Sequence, residues 1–169
     1  NYAWKIEQCK QLFDDLVKVS VENRKSHFFG SIVSAPIEDG RMGHYLLIDG
    51  QQRVTTISLL LLALAHAITK NRLPVENPNL PSKIINEYLI DKYEEGEQRL
   101  KLKTIKDDLE SYYSLFDEDS DKPKASNISN NYSYFYTRIL DAEISADALY
   151  NAIEKLQIIN IHLGSEDNP

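Results

Sequence analysis

The sequence is short of cysteine. Cys9 stands alone among 169 residues, so no intrachain disulfide can form, and the thiol usage fits a reducing cytoplasm. Positive charge is scarce too. Lys and Arg total 19 against 26 Asp and Glu, a formal net charge of -7. The shortfall lies in one half: residues 1–70 carry 8 basic and 7 acidic side chains, residues 71–169 carry 11 and 19. A surface that grips nucleic-acid phosphates needs the reverse balance, which argues against the second half as a main DNA clamp. Long apolar runs are missing. Val54–Ile68 is the longest, interrupted by Thr55, Thr56, Ser58 and His66. At about 15 residues it falls short of the ~20 that span a bilayer and reads as a buried core helix, so no membrane is expected as a partner. No signal peptide, internal repeat or low-complexity tract is visible.

What is present suffices for one globular domain with a sub-domain, since hydrophobic residues make up 42%. Residues 5–23 read as an amphipathic helix, with Ile6, Cys9, Phe13, Leu16 and Val19 at helical spacing, Leu12 and Val17 widening the stripe, and Lys10, Asp14 and Lys18 opposite. Trp4, just before it, either packs on the core or offers a stacking platform for a base. His27–Ala35 is a strand candidate with Gly30 inside it, the mark of a bulge or a close backbone approach. An Asp39-Gly40 turn should return the chain through a second strand, His44–Ile48, paired antiparallel with the first. A helix from Gly50 to about Lys70 is apolar on most sides; His66 on it reads as a packed or rim residue. Three prolines, Pro74, Pro78 and Pro81, stiffen the connector that follows.

Four further helices are expected, over Ser82–Asp91, Thr104–Phe116, Asn127–Leu140 and Ala146–Leu156, with Arg99–Lys103 a short extended piece between the first two. Asp117–Ala125 is a charged loop that lacks the glycine and terminal glutamate of a calcium site. Gln157–Leu163 alternates with period two and should return as a strand to the first sheet. The expected fold is α+β: a 1–70 module, a helical subdomain over 71–156, and a returning strand in 157–169. The chain begins mid-pattern at Asn1-Tyr2-Ala3-Trp4 and ends at Glu166-Asp167-Asn168-Pro169, so it reads as a segment of a longer protein.

Polar chemistry concentrates at Ile48-Asp49-Gly50-Gln51-Gln52-Arg53-Val54, where a strand runs into the long helix. Asp49 as N-cap, with Gln52 three residues on, would make a capping box. That bland reading leaves Gln51 and Arg53 unexplained. Both lie at a helix N-terminus, where N–H groups favour anions and an arginine fork suits phosphate. Asp49 could hold Mg²⁺ through one oxygen. From the residues alone, a cap and a ligand site remain equally open.

This stretch resembles the DGQQR signature of the N-terminal domain of GmrSD-type, modification-dependent (Type IV) restriction enzymes. Tyr2-Ala3-Trp4 resembles the end of that family's Tyr-Gln-Arg-x-Tyr-x-Trp segment, and Phe28-Phe29-Gly30-Ser31-Ile32 its Phe-Leu-Gly-Ser-Ile strand. Arg99-Leu100-Lys101-Leu102 and Tyr112-Tyr113 resemble its helical middle, so the likeness spans the chain. The resemblance implies a ParB/sulfiredoxin-like module with an inserted all-helical subdomain. It implies binding and hydrolysis of an NTP with Mg²⁺ in bacterial anti-phage restriction. Carried over residue by residue, Asp49, Gln51, Gln52 and Arg53 become catalytic. Gly50, Gln51, Gln52, Arg53, Gly30 and Trp4 bind the nucleotide, and Asp49 binds the metal. The implied partners are a nucleotide, DNA through the full-length protein, and a His-Asn-His nuclease domain in cis or in trans. No such nuclease motif lies in this chain, whose histidines His27, His44, His66 and His162 are scattered. The family's Tyr-Gln-Arg arginine would precede Asn1 and its Phe-Glu-x-x-Asn segment would follow Pro169, so weak or no hydrolysis is expected of residues 1–169 alone. A ParB-like DNA-binding module and a protein-interaction module, neither hydrolysing, are the alternatives.

Overall fold

The computed structural model describes residues 1–37, 45–117 and 125–164. The Asp39-Gly40 turn, His44, most of the charged 117–125 loop and the last five residues lie outside them. Within the described residues the fold is α+β. Six α-helices accompany a three-stranded mixed sheet.

The amphipathic N-terminal stripe forms α1 (Ile6–Val21), which buries Cys9, Leu12, Phe13, Leu16 and Val19. Ile6 is an exception. It sits in the first turn, beyond the end of the core, and is 46% exposed. The chain then forms β1 (His27–Pro36) and β2 (Tyr45–Asp49), paired antiparallel. The long helix α2 (Gln51–Asn71) follows directly. Its 21 residues, longer than the apolar run within them, suffice by length and composition to span a bilayer. Burial is what identifies it as a core helix: Leu59, Leu60, Leu62 and Leu64 are completely enclosed by protein. Thr56 and Ser58 are tolerated there because each hydroxyl donates to a carbonyl one turn back, Gln52 at 2.7 Å and Val54 at 2.9 Å.

The expected Ser82–Asp91 helix is two pieces, α3 (Leu80–Ile84) and a single π-helical turn over Ile85–Leu89. A 3₁₀ turn over Gly96–Arg99 replaces the start of the expected extended piece, and only Leu100 bridges back to Ile90. Next come α4 (Lys106–Ser114), α5 (Asn127–Leu140) and α6 (Ala146–Glu154). Ser126 caps α5 through the Ser129 amide, and Ser145 caps α6 through the Ala148 amide. Packing of α5 along α2, and of α1 on α5 and α6, builds one continuous core.

β3 (Leu156–His162) returns to the sheet as expected and lies parallel to β1, giving the order β2-β1-β3. The Ser34 hydroxyl, 2% exposed, stitches the pair by donating to Asn160 Oδ1 at 3.0 Å. Val33 pairs with Ile161, Ser31 with Ile159 and Ala35 with Leu46, so these side chains share one face. On that face Leu46, Ile48, Ile159 and Ile161 are each about half exposed.

His66 is a packed rim residue whose Nδ1 lies 2.6 Å from the Tyr132 hydroxyl. Burial, with Lys70 one turn on, pushes its pKa down to about 4. The unfolded chain protonates His66 near pH 6.5, the folded chain only near 4, so protons favour unfolding between those values. The stabilisation is complete above pH 6.5 and is lost as pH falls toward 4. About 2 kcal/mol should disappear over that window after allowance for partial exposure. Comparing urea midpoints across pH for the wild type and His66→Gln tests this: the variant should show the flatter profile, and parallel profiles would refute the assignment.

Candidate functional site

The site forms where β2 hands the chain to α2. Asp49 still belongs to the strand, opposite Val33, and the reversal occurs at Gly50 with φ +90°. Gly50, rather than Asp49, is therefore the N-cap, and no side chain caps the helix. The expected Asp49–Gln52 capping box does not form. Because the turn is left-handed, Asp49 stays one position too early. Its Oδ1 reaches only as far as the Gly50 amide, at 2.9 Å. Its carboxylate is otherwise exposed.

Four expected residues gather on the β1 side of this turn. Arg53, half-buried, lies across Gly30, and a Cβ built on Gly30 would stand 2.3 Å from Arg53 Nε. Gly30 is the close backbone approach that a glycine within a strand suggests. Arg53 donates one hydrogen bond, from Nη1 to the Ser31 carbonyl at 3.4 Å, and pairs with no carboxylate among the described residues. Ser31 also backs Gly50, whose Cβ would lie 3.0 Å from its carbonyl oxygen. Asp49, Gly50, Arg53 and Gly30 thus surround one short piece of β1.

Gln51 and Gln52 point elsewhere. Both line a cavity of about 680 Å³ on the other side of the helix start, together with Tyr2, Tyr45, Leu102 and Asp108. Gln51 Nε2 donates to the Leu47 carbonyl at 2.7 Å. Gln52 holds the N-terminal segment: its Oε1 accepts from the amides of Ala3 at 2.8 Å and Trp4 at 3.1 Å, and its Nε2 donates to the Asn1 carbonyl at 3.1 Å. Trp4 sets its ring edge-on to Phe29, with centroids 6.3 Å apart, so the ring is engaged in packing.

A buried polar cluster outside the motif locks that segment. The Tyr2 hydroxyl lies 2.7 Å from Thr56 Oγ1 and accepts from Asn131 Nδ2 at 2.8 Å, while the same amide nitrogen donates to the Trp4 carbonyl. Asp108 accepts from the Tyr2 amide at 2.6 Å. Burial raises the Tyr2 phenol above its ordinary range and pushes the neighbouring Cys9 thiol up to about 12, so both stay neutral. One signal pointed here. Asn131 interrupts the buried stripe Ile128, Phe135, Ile139 of α5, and a polar residue in an apolar stripe needs a partner.

The donor set can be weighed against phosphate and Mg²⁺. The uncapped N-terminus of a 21-residue helix and an arginine with no carboxylate partner among the described residues suit an anion. Mg²⁺ on a nucleotide commonly uses one or two carboxylates plus phosphate oxygens, and Asp49 offers one. No cluster of three or more His, Cys, Asp or Glu suited to a metal occurs among the described residues.

No curated protein matches this chain. A family model described as the N-terminal domain of GmrSD restriction endonucleases matches residues 1–169. An α+β fold with its motif residues at a strand-to-helix turn, matched to that model over its whole length, belongs to the GmrSD restriction endonuclease N-terminal domain family.

Proposed function

We propose that this domain is the nucleotide-binding and hydrolysing regulatory part of a restriction endonuclease that attacks modified phage DNA. A His-Asn-His nuclease domain in cis or in trans would cut, and DNA would be engaged through the full-length protein. The observation that carries the reading is Arg53, held over Gly30 beside an uncapped helix N-terminus without a carboxylate partner among the described residues. A cation in the first turn opposes the helix dipole by a few tenths of a kcal/mol, so fold alone gives little reason for it. A bound phosphate reverses that sign.

In this reading phosphate oxygens sit between Arg53 and the first-turn amides, and Asp49 holds Mg²⁺, which would neutralise phosphate charge. The cavity on the Gln51 side is the room for the nucleoside; its lining mixes apolar Tyr45, Leu46 and Leu102 with charges of both signs, Asp91, Glu94 and Asp108 beside Lys101 and Lys103. Gln51 keeps its Oε1 and one N–H for ribose or water. In phosphoryl transfer, positioning and charge stabilisation carry the rate.

Titration calorimetry of the full-length polypeptide with Mg-ATP and Mg-GTP tests the reading. Arg53→Gln should leave the apo protein as stable or slightly more so, and weaken binding by roughly 1.5–3 kcal/mol. Unchanged affinity, or an apo fold destabilised by more than about 2 kcal/mol, would make Arg53 a structural residue. Asp49→Asn keeps the oxygen that accepts from Gly50, so it should keep its melting temperature and lose hydrolysis. Normal turnover in that variant would remove Asp49 from the chemistry. The apolar sheet face at Leu46, Ile48, Ile159 and Ile161 favours a protein-interaction module as the second reading. It would stand alone if neither nucleotide shifts the melting temperature.

A further inference from the structure

A glutamine side chain has four hydrogen-bonding positions, two acceptor lone pairs and two donor hydrogens. Gln52 spends three of them on the backbone of residues 1–4, through the Ala3 amide, the Trp4 amide and the Asn1 carbonyl. One N–H remains. Gln51 spends a single hydrogen on Leu47. The two adjacent glutamines are therefore built for different tasks.

The segment that Gln52 holds is also a wall of the cavity, because Asn1 and Tyr2 line it alongside Gln51, Gln52 and Asp108. The same segment is held from three more directions: by Asp108 of α4 at the Tyr2 amide, by Asn127 of α5 at the Tyr2 carbonyl, and by Asn131 at the Tyr2 hydroxyl and Trp4 carbonyl. Three helices thus meet on four residues. Asn131 does this from a buried position, 1% exposed, and its Oδ1 has no partner there.

We propose that Gln52 is a positioning residue that docks segment Asn1–Trp4 as one wall of the cavity, so that docking of this strap and occupancy of the cavity reinforce each other. The docking half stands on the contacts above; the coupling half rests on the nucleotide reading. Linkage makes the coupling reciprocal: a ligand that requires the wall tightens the strap, and loosening the strap weakens the ligand.

Amide hydrogen exchange at Ala3 and Trp4 in the full-length polypeptide reads the strap directly. Gln52→Leu should raise exchange there by about tenfold or more. Gln52→Glu keeps the acceptor, loses the donor to Asn1, and should raise it less. Unchanged exchange in Gln52→Leu overturns the proposal. Saturating Mg-ATP or Mg-GTP should slow exchange at both amides in the wild type, and a bound nucleotide that leaves them unchanged overturns the coupling. Ala3→Pro supplies the second variant, since it deletes one amide that Gln52 accepts from and leaves the glutamine intact. Gln52→Leu and Ala3→Pro should each weaken the nucleotide by about tenfold, and together by scarcely more. Fully additive losses would put Gln52 in direct contact with the ligand and overturn the proposal. If the wild type binds neither nucleotide, the nucleotide reading and the coupling fail together, and exchange in the ligand-free variants alone decides the docking role.

Discussion

Gly50→Ala will lower the stability of the domain by about 3–4 kcal/mol, the sum of a left-handed backbone penalty and an overpacking penalty. Gly50 has φ +90°, where a side chain costs about 1–2 kcal/mol even in open space. Space is not open. A Cβ would stand 2.5 Å from Ile32 Cγ2 and 3.0 Å from the Ser31 carbonyl oxygen. Neither obstacle can swing aside. Ile32 is β-branched on the central strand and Ser31 presents backbone. Relief would require β1 and the start of α2 to part, which would also open the proposed phosphate site. For a domain of this size the melting temperature should fall by about 10 °C. A drop below about 1 °C would mean that the turn adopts another conformation in solution.

Gly30→Ala is expected to cost about 2–3 kcal/mol and, on the proposed nucleotide reading, to weaken binding as much as is expected of Arg53→Gln. Gly30 carries no functional group, so the binding effect would have to act through its neighbour. At φ +144° its Cβ would lie 2.3, 2.8 and 2.9 Å from Nε, Cδ and Cζ of Arg53. Here the obstacle is a flexible side chain. It would swing off the strand and take the cation away from the helix start. Combining Gly30→Ala with Arg53→Ala separates the two parts. The double variant should recover the steric share of the stability, about half, and keep the backbone share. Wild-type binding by Gly30→Ala would detach Arg53 from the nucleotide altogether.

These effects show how far residue patterns reach. α1, β1, α2 and α5 were legible to within a few residues because each has a buried stripe or a β-branched run that a short window can see. The break at Ile85 was not, because Ile84/Tyr88 and Ile85/Leu89 offer ordinary i,i+4 spacings, whereas the π turn buries Ile84 and Leu89, five apart, and leaves Tyr88 exposed. At the site, the strand-to-helix junction and its polar cluster were legible. The identity of the cap was not. Asp-Gly at a helix start suits an aspartate cap on composition, and only the left-handed turn of Gly50 decides against it. The partners of Gln52 were hidden for a different reason. They lie about fifty positions away, and no local window holds both ends.

The parallel seam between β1 and β3 has a consequence for biosynthesis. Ser34 and His162, neighbours across it, are separated by 128 positions in the chain. An emerging polypeptide displays β1 and β2 early, and a two-stranded hairpin is marginal in water. Every helix of the domain must leave the ribosome before the third strand can close the sheet. Loop closure over such a span is slow. During that interval the β1 edge destined for β3 stays open, so the nascent domain is most vulnerable to mispairing just before its last strand arrives.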